Sequence, residues 1–390
     1  MYVSALLFLR RNILDLLEEL NQLRELIILL GRNHTETIMP GYTHVQHAQP
    51  TTLGHFFACV AEALETDYTR LQSTFERVNM SPAGYSSAWG TTYPTDRQRI
   101  SNLLGFNAPI ENTRYAMLSF DRGIETLADL VMLANNVNRM TDDIYFWCSF
   151  EFNMAEIADE YASTSYIMPQ KKNPYALEEY PSLAGRVLAE FVRVAELTRL
   201  TSFGLATHLS GKRTDTTMAP SRVIQDMIGA MRMLRGILST VKFKKEVMKE
   251  RAGIFFTQGT DLADTLVREK GLSFRTAHKI IGVMIREAID QGLKPSQLDG
   301  QMLDQAAKES IGRPLTLSPA AFAKALDSME GVKARKGIGG VAPQAVKKSL
   351  QNRMLRLREN RDWLEKRNRD LATTKEKLEK AVQRIIGING

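Results

Sequence analysis

The most restrictive feature of this 390-residue chain is its opening. Apolar side chains at Leu6, Leu7, Leu9, Ile13, Leu14, Leu16, Leu17, Leu20, Leu23, Leu26, Ile27 and Leu30 recur at helical spacing, and no proline interrupts them before Pro40. Residues three and four apart share one face of a helix, so a run of this length fits one long helix and no strand. The apolar positions also spread over more than one face, the pattern of a helix enclosed in a bundle or a subunit interface. Met117 to Ile144 and Leu183 to Phe203 behave in the same way. Strand-like alternation is scarce, and the fold class is therefore all-α. Residues 1–240 are expected to form a central long-helix bundle, and residues 241–345 a smaller C-terminal helical domain containing Phe274 to Gly292.

Residues 346–390 form a helical tail of different character. Leu350, Leu357, Leu364, Leu371, Leu378 and Ile385 fall at intervals of seven, which suggests a coiled-coil seam. Four residues after the leucines come Met354, Arg361, Asn368, Lys375 and Val382, and the polar members weaken that seam. Between Lys347 and Arg384 there are 13 Lys and Arg against 6 Asp and Glu, 13 − 6 = +7, equal to the formal charge of the whole chain. The basic character belongs to the tail, which is expected to be a solvated helix packed on a neighbouring subunit; nucleic-acid binding is not implied.

The 44% of hydrophobic residues suffices for a large core shared by two or three domains. Cys59 and Cys148, the two cysteines, sit inside apolar helical patterns and are expected to be buried thiols, with neither a disulfide nor a metal site; this fits a reducing cytoplasm. Met1 to Leu9 lacks the basic region and cleavage site of a signal peptide. No apolar run approaches the roughly 20 residues needed to span a membrane.

From Ser165 to Pro174 the chain reads Ser-Tyr-Ile-Met-Pro-Gln-Lys-Lys-Asn-Pro. The residue before each proline is driven out of the helical region, so this is a loop, and its hydroxyl, two ammonium groups and amide suit it to meet an anion. From Gly41 to His55 the chain reads Gly-Tyr-Thr-His-Val-Gln-His-Ala-Gln-Pro-Thr-Thr-Leu-Gly-His. Together and in this order the two segments resemble the signatures of the fumarase/aspartase superfamily, and their spelling is similar to the argininosuccinate lyase branch. Weaker echoes follow at residues 90–97 (Gly-Thr-Thr-Tyr-Pro-Thr-Asp-Arg), 260–264 (Thr-Asp-Leu-Ala-Asp) and 339–343 (Gly-Gly-Val-Ala-Pro), so the resemblance runs from about residue 6 to about residue 350.

Eliminating an amine from an N-substituted succinate requires a base, an acid, and groups that hold the doubly charged carboxylate formed on proton loss. The resemblance implies that Ser165 is the catalytic serine and Lys171 the loop lysine. A serine hydroxyl is a weak base, so nearby positive charge and loop amides must depress its pKa. The resemblance pairs His44 with the carboxylate of Glu178, which would fix the tautomer and raise the basicity of the imidazole. Either Ser165 or His44 can take the carbon proton. Thr43, Gln46, Asn173 and Arg213 are the implied substrate-binding residues. His34, His47, His55, His208 and His278 are expected to be surface or packing residues. No metal or organic cofactor is implied, and the relatives' assembly implies a homotetramer whose active sites are shared among subunits.

The chain also departs from the family pattern. Ser163, Thr164 and Tyr166 surround Ser165 where Gly-Ser and Ser are usual, removing a glycine's freedom and adding a bulky ring. Phe120 stands where an arginine is usual. The Tyr-Asn-Lys-Asp-x-Gln-Glu-Asp-Lys segment expected near residues 205–213 is replaced by Leu-Ala-Thr-His-Leu-Ser-Gly-Lys-Arg, which keeps only the cation of Lys212 or Arg213. About a hundred residues that precede the first helix in the family, ending in Ser-Arg-Asn-Asp-Gln, have no counterpart, so the expectation extends to a truncated chain, a segment supplied by another chain, or lost activity. The sequence-based conclusion is an argininosuccinate lyase-like enzyme acting on a small N-succinyl amine. The alternatives are a related lyase releasing a different amine and a non-catalytic structural homologue.

Overall fold

The computed structural model describes residues 2–199, 201–204 and 212–387, the side chains of Arg213 and Thr214 excepted. The opening periodicity forms α1 (Tyr2–Asn33), whose Leu9, Ile13, Leu16, Leu17, Leu20, Leu23 and Ile27 are fully buried. A hairpin of β1 (Ile38–Thr43) and β2 (Gln46–Thr52) leads into α2 (Leu53–Val78). Thr52 caps α2, its Oγ1 accepting from the His55 amide at 3.1 Å and so satisfying a first-turn donor. There follow β3 (Met80–Ser81), α3 (Arg97–Leu103), β4 (Ala108–Pro109), α4 (Thr113–Leu118) and the long α5 (Asp121–Trp147). Next come β5 (Ala155–Glu156), β6 (Ser163–Thr164), β7 (Lys172–Asn173), α6 (Glu179–Arg199) and α7 (Lys212–Thr240). The chain continues through β8 (Lys242–Phe243), α8 (Lys245–Ala252), α9 (Gly259–Lys270), α10 (Phe274–Asp290), α11 (Gly300–Ile311), α12 (Pro319–Leu326), α13 (Ser328–Ala334) and α14 (Pro343–Ile385). The strands form only two-stranded pairs, β1–β2, β3–β4, β5–β8 and β6–β7, and the fold is all-α as expected.

α1 is sheathed by α2, α7 and α14, while α5 packs on α2, α6 and α7. The end of α1 meets the start of α2 so closely that a Cβ on Gly54 would lie 2.7 Å from the Gly31 carbonyl oxygen, and only glycine fits there. A second, separate core joins Leu262, Leu266, Ile280, Met284, Leu303 and Phe322 of α9 to α12. Among the described residues no helix is long and apolar enough to cross a membrane.

The buried clusters divide the chain differently from the boundaries expected at residues 240 and 345. β8 pairs with β5, and Met248 of α8 belongs to the bundle core, so the smaller unit centres on α9 to α12. The tail also returns to the bundle of its own chain: Val346, Leu350, Leu357 and Leu364 of α14 are buried in the main core against α1 and α2. Two of the polar residues that interrupted the seam have partners. Arg361 donates to both Glu25 carboxylate oxygens at 3.0 and 2.7 Å, and Asn368 accepts from Arg11 at 3.0 Å. Cys59 corrects another expectation. It is exposed, because it falls on the outward side of α2, and Cys148 is half-buried.

If α14 is part of the core, Leu357→Ala should lower unfolding free energy by about 2–5 kcal/mol, because Leu357 is 0% exposed. Ile385→Ala, at a position 80% exposed, should stay within about 0.5 kcal/mol of the parent. Chemical denaturation of both variants checks this; equal effects would remove α14 from the core.

Candidate active site

The loop expected to meet an anion is closed by a short ladder. β6 and β7 pair antiparallel, Ser163 opposite Asn173 and Thr164 opposite Lys172, with residues 165–171 between them. The Ser165 amide donates to the Lys171 carbonyl at 3.3 Å, and the Lys171 amide to the Met168 carbonyl at 3.1 Å. Inside this turn the Ser165 Oγ accepts from the amides of Ile167 and Met168, at 3.3 and 3.0 Å. Two backbone donors on one oxygen favour its charged form. Tyr166 does not crowd the hydroxyl; its ring is fully exposed, as is most of Ile167.

The structure separates the roles of the two neighbouring lysines. Lys172 Nζ bonds Asp159 at 2.6 Å and Glu156 at 3.3 Å, and the bond to Asp159 is the main reason its pKa is raised. It anchors the loop. The Lys171 ammonium has no hydrogen bond or ion pair among the described residues and stays available for a ligand. Both line a cleft of about 340 Å³ with Gln170, Asn173, Asn153, Glu156, Cys148 and Lys244. Lys244 donates to Asn153 at 2.5 Å and lies 3.8 Å from Glu156. Asn173 Nδ2 donates to Ser163 Oγ at 3.4 Å, which holds the amide at the ladder. Burial pushes the Cys148 thiol up to about 11, so it faces the cleft as a neutral thiol and not as a nucleophile.

Thr43, His44 and Gln46 sit at the tip of the β1–β2 hairpin. Thr43 pairs with Gln46, leaving His44 and Val45 as the turn, with φ of 53° and 60°. Positive φ at both central residues matches the twist of a two-residue hairpin, but it is a costly conformation for histidine and more so for a β-branched valine. All four residues are exposed in the single chain. The hairpin is held lower down. The Tyr42 ring packs edge-on against His47 and Phe152, His47 packs on Phe255, and Tyr42 Oη and His47 Nε2 are 3.3 Å apart. Burial, with the nearby Arg251 charge, keeps the His47 imidazole below its ordinary pKa. His47 is thus a packing residue, as expected. His34 bonds Thr37, His55 contacts Thr51 and the Gly339 carbonyl, and His278 lies against Phe274. His208 lies outside the described residues.

Glu178 ends a short 3₁₀ turn, Tyr175–Glu178, after Pro174. It is exposed, and its Oε1 accepts from the Tyr145 hydroxyl at 3.1 Å. Among the described residues no hydrogen bond joins Glu178 to His44, or His44 to Ser165, within one chain. The structure therefore brings Lys171 and Asn173 to one cleft beside the Ser165 turn and places Thr43, His44 and Gln46 on a separate projection. The side chain of Arg213 lies outside the described residues, as do residues 205–211. Lys212 is not a free cation: it is buried and donates to Thr201 Oγ1 at 2.8 Å. Phe120 is buried beside Ala88, Met117 and Leu118, and the nearby Arg122 is committed to the Met80 carbonyl and Ser119.

Sequence reasoning did not find Tyr145, Asp159 or Lys244, since each lies outside the two motifs and has no periodic or spacing signal. Among the described residues no cluster of three or more His, Cys, Asp or Glu could hold a metal ion.

Comparison with known proteins gives the chain's family. Residues 2–189 match a family model described as Lyase, and residues 256–333 one described as Argininosuccinate lyase C-terminal. The argininosuccinate lyase of Methanothermobacter thermautotrophicus is 38% identical over 88% of this chain and 73% of its own length. That of Methanosarcina barkeri is 36% identical over 97% of this chain and 74% of its own. Among solved structures, EDDS lyase in complex with formate superposes with a TM-score of 0.89 at 29% identity, covering 99% of this chain and 76% of that one. The matched stretches contain the hairpin, the serine loop and the α9–α12 unit, and the chain belongs to the argininosuccinate lyase family, within the fumarase/aspartase superfamily.

Proposed function

We propose that this carbon–nitrogen lyase cleaves argininosuccinate to arginine and fumarate, and that Ser165, Lys171, Asn173, Thr43, His44, Gln46 and Glu178 carry the reaction. The observation that supports this most is the Ser165 Oγ held under two backbone amides, in a loop that leaves Lys171 uncommitted beside Asn173. In this reading Ser165 Oγ, as alkoxide, takes the proton from the carbon adjacent to one succinyl carboxylate. The Ile167 and Met168 amides stabilise the alkoxide before transfer. The electron pair moves into that carboxylate, and the ammonium of Lys171 and the amide of Asn173 meet the charge that develops there. Collapse of this dianion breaks the carbon–nitrogen bond, and the protonated His44 imidazole, oriented by Glu178, gives its proton to the departing guanidino nitrogen. Thr43 and Gln46 would bind the substrate's polar groups from the hairpin side, with Arg213 as the further anion-binding candidate.

Because Ser165 and His44 do not meet within one chain, the reading includes a homotetramer in which neighbouring subunits complete each site. Supplying arginine for biosynthesis in the cytoplasm is the physiological role it implies. The altered residues 205–213 keep open the release of a different amine.

Incubation with argininosuccinate should generate the ultraviolet absorbance of fumarate, and other N-succinyl amines should give slower release. A panel in which another amine is released faster would overturn the substrate assignment and keep the chemistry. Ser165→Ala should lower turnover by about a thousandfold or more with an unchanged melting temperature; retention of more than a few per cent of activity would remove Ser165 from the mechanism.

Shared sites generate a separate expectation. Ser165→Ala and His44→Asn chains, each inactive alone, should regain activity when unfolded together and reassembled. About a quarter of two-chain sites would then carry both intact groups, since each group is intact in half of the chains. No recovery in mixed, correctly sized oligomers would argue against sites shared between subunits.

A further inference from the structure

From the contact between α5 and the 3₁₀ turn after the serine loop, we infer that Tyr145 is a positioning residue for the lyase reaction, holding the Glu178 carboxylate in the orientation it uses on the imidazole. The inference rests on the proposed role of Glu178. Tyr145 lies near the C-terminal end of α5, half-buried against the bundle core, with its ring edge-on to Phe146 at 6.2 Å. Its hydroxyl reaches Glu178 Oε1 at 3.1 Å. Glu178 itself is exposed, on a turn that follows a proline, and the Tyr145 hydroxyl is the one hydrogen-bond partner of its carboxylate among the described residues.

A carboxylate on such a turn, without a partner, would sample several rotamers, and each exposed rotamer would present different lone pairs. A phenol donating to Oε1 selects one of them and leaves Oε2 free for a second donor. The donor role is secure, because burial first, then the bond to Glu178 and the charges of Glu178 and Asp142, raise the Tyr145 pKa above its ordinary value. The proton therefore stays on the tyrosine, which donates to Glu178 Oε1. Tyr145 touches neither substrate nor the reacting atoms in this scheme. It acts through Glu178, whichever subunit supplies the imidazole.

The test is a double-mutant cycle on the assembled enzyme, with argininosuccinate as substrate. Tyr145→Phe keeps the ring and its packing, and should lower kcat on the order of tenfold, the usual scale for a hydrogen bond to a charged group, with KM within about twofold and an unchanged melting temperature. In a Glu178→Gln background the same substitution should have little further effect, because its only route to the chemistry is gone. Multiplying losses, or a change confined to KM or to the melting temperature, would overturn the positioning role while leaving Glu178 in place. If Glu178→Gln alone leaves kcat unchanged, the reading of Glu178 falls and the inference falls with it.

Discussion

The guanidinium of Arg24 is the point on which the bundle's register depends. It is 1% exposed, and its partners come from three helices: Asn21 on α1 at 3.1 Å, Glu65 on α2 at 3.4 Å and Asn360 on α14 at 2.8 Å. The group also lies over the Tyr68 ring at 5.1 Å, and the Tyr68 hydroxyl donates to the Asn360 carbonyl at 3.0 Å. Burial pulls its pKa down to about 10, with Glu65 in opposition, so it stays charged at neutral pH. A buried charge is tolerated only when its partners are in place, and here a one-residue slip of α1, α2 or α14 would remove one of them. The flanking pairs Arg353–Glu65 at 3.1 Å and Arg367–Glu76 at 2.7 Å extend the constraint along α14. These sit nearer the surface and add less individually.

That fixed frame allows the strained hairpin tip to persist. α2 begins where β2 ends, and its first turn is pinned against the end of α1 by Gly54 and capped by Thr52. The base of the hairpin is clamped on another side, where Ile38 packs with Ala252 of α8 and Val332 of α13. Left-handed φ at non-glycine residues costs on the order of 1–3 kcal/mol each, and a free hairpin would relax it. Anchored at its base, the hairpin instead presents His44 and Val45 in a defined geometry, and the cost is offset by packing remote from the tip. The serine loop is built differently: a two-residue ladder, self-bonded amides and the Lys172–Asp159 pair hold its ends, while its apolar tip stays in solvent.

How much of this was legible in the sequence follows from how local each signal is. α1 and the later long helices were legible because a 3.6-residue period survives any change of partner. The serine loop was legible as a loop because two prolines exclude helix. The hairpin was not, since Pro40 and Pro50 and the polar residues of 43–52 hide the alternation that marks a strand. For α14 the seven-residue repeat announced an apolar seam without naming its partner, and Arg361 and Asn368 looked like interruptions because Glu25 and Arg11 lie more than three hundred residues away. Of the neighbouring lysines, spelling alone could nominate Lys171; the anchoring of Lys172 by Asp159 gives the physical reason. Cys59 was misjudged because an apolar helical pattern does not say which of its turns faces outward.

The placement of the candidate groups has one more consequence. Acid–base groups on separate projections are productive only if something fixes their distance from the substrate to within a fraction of an ångström. In the single chain, His44 and the Ser165 turn are each locally well supported, yet no contact sets the distance between them. The exposed apolar side chains beside them, Val45 on the hairpin and Tyr166, Ile167 and Tyr175 along the loop, are surfaces a neighbouring subunit could cover in the proposed tetramer. Burying those side chains against a partner would exclude water from the cleft and set the missing distance in one step. Assembly would then tie the ordering of the site to the same apolar contacts that hold the subunits together.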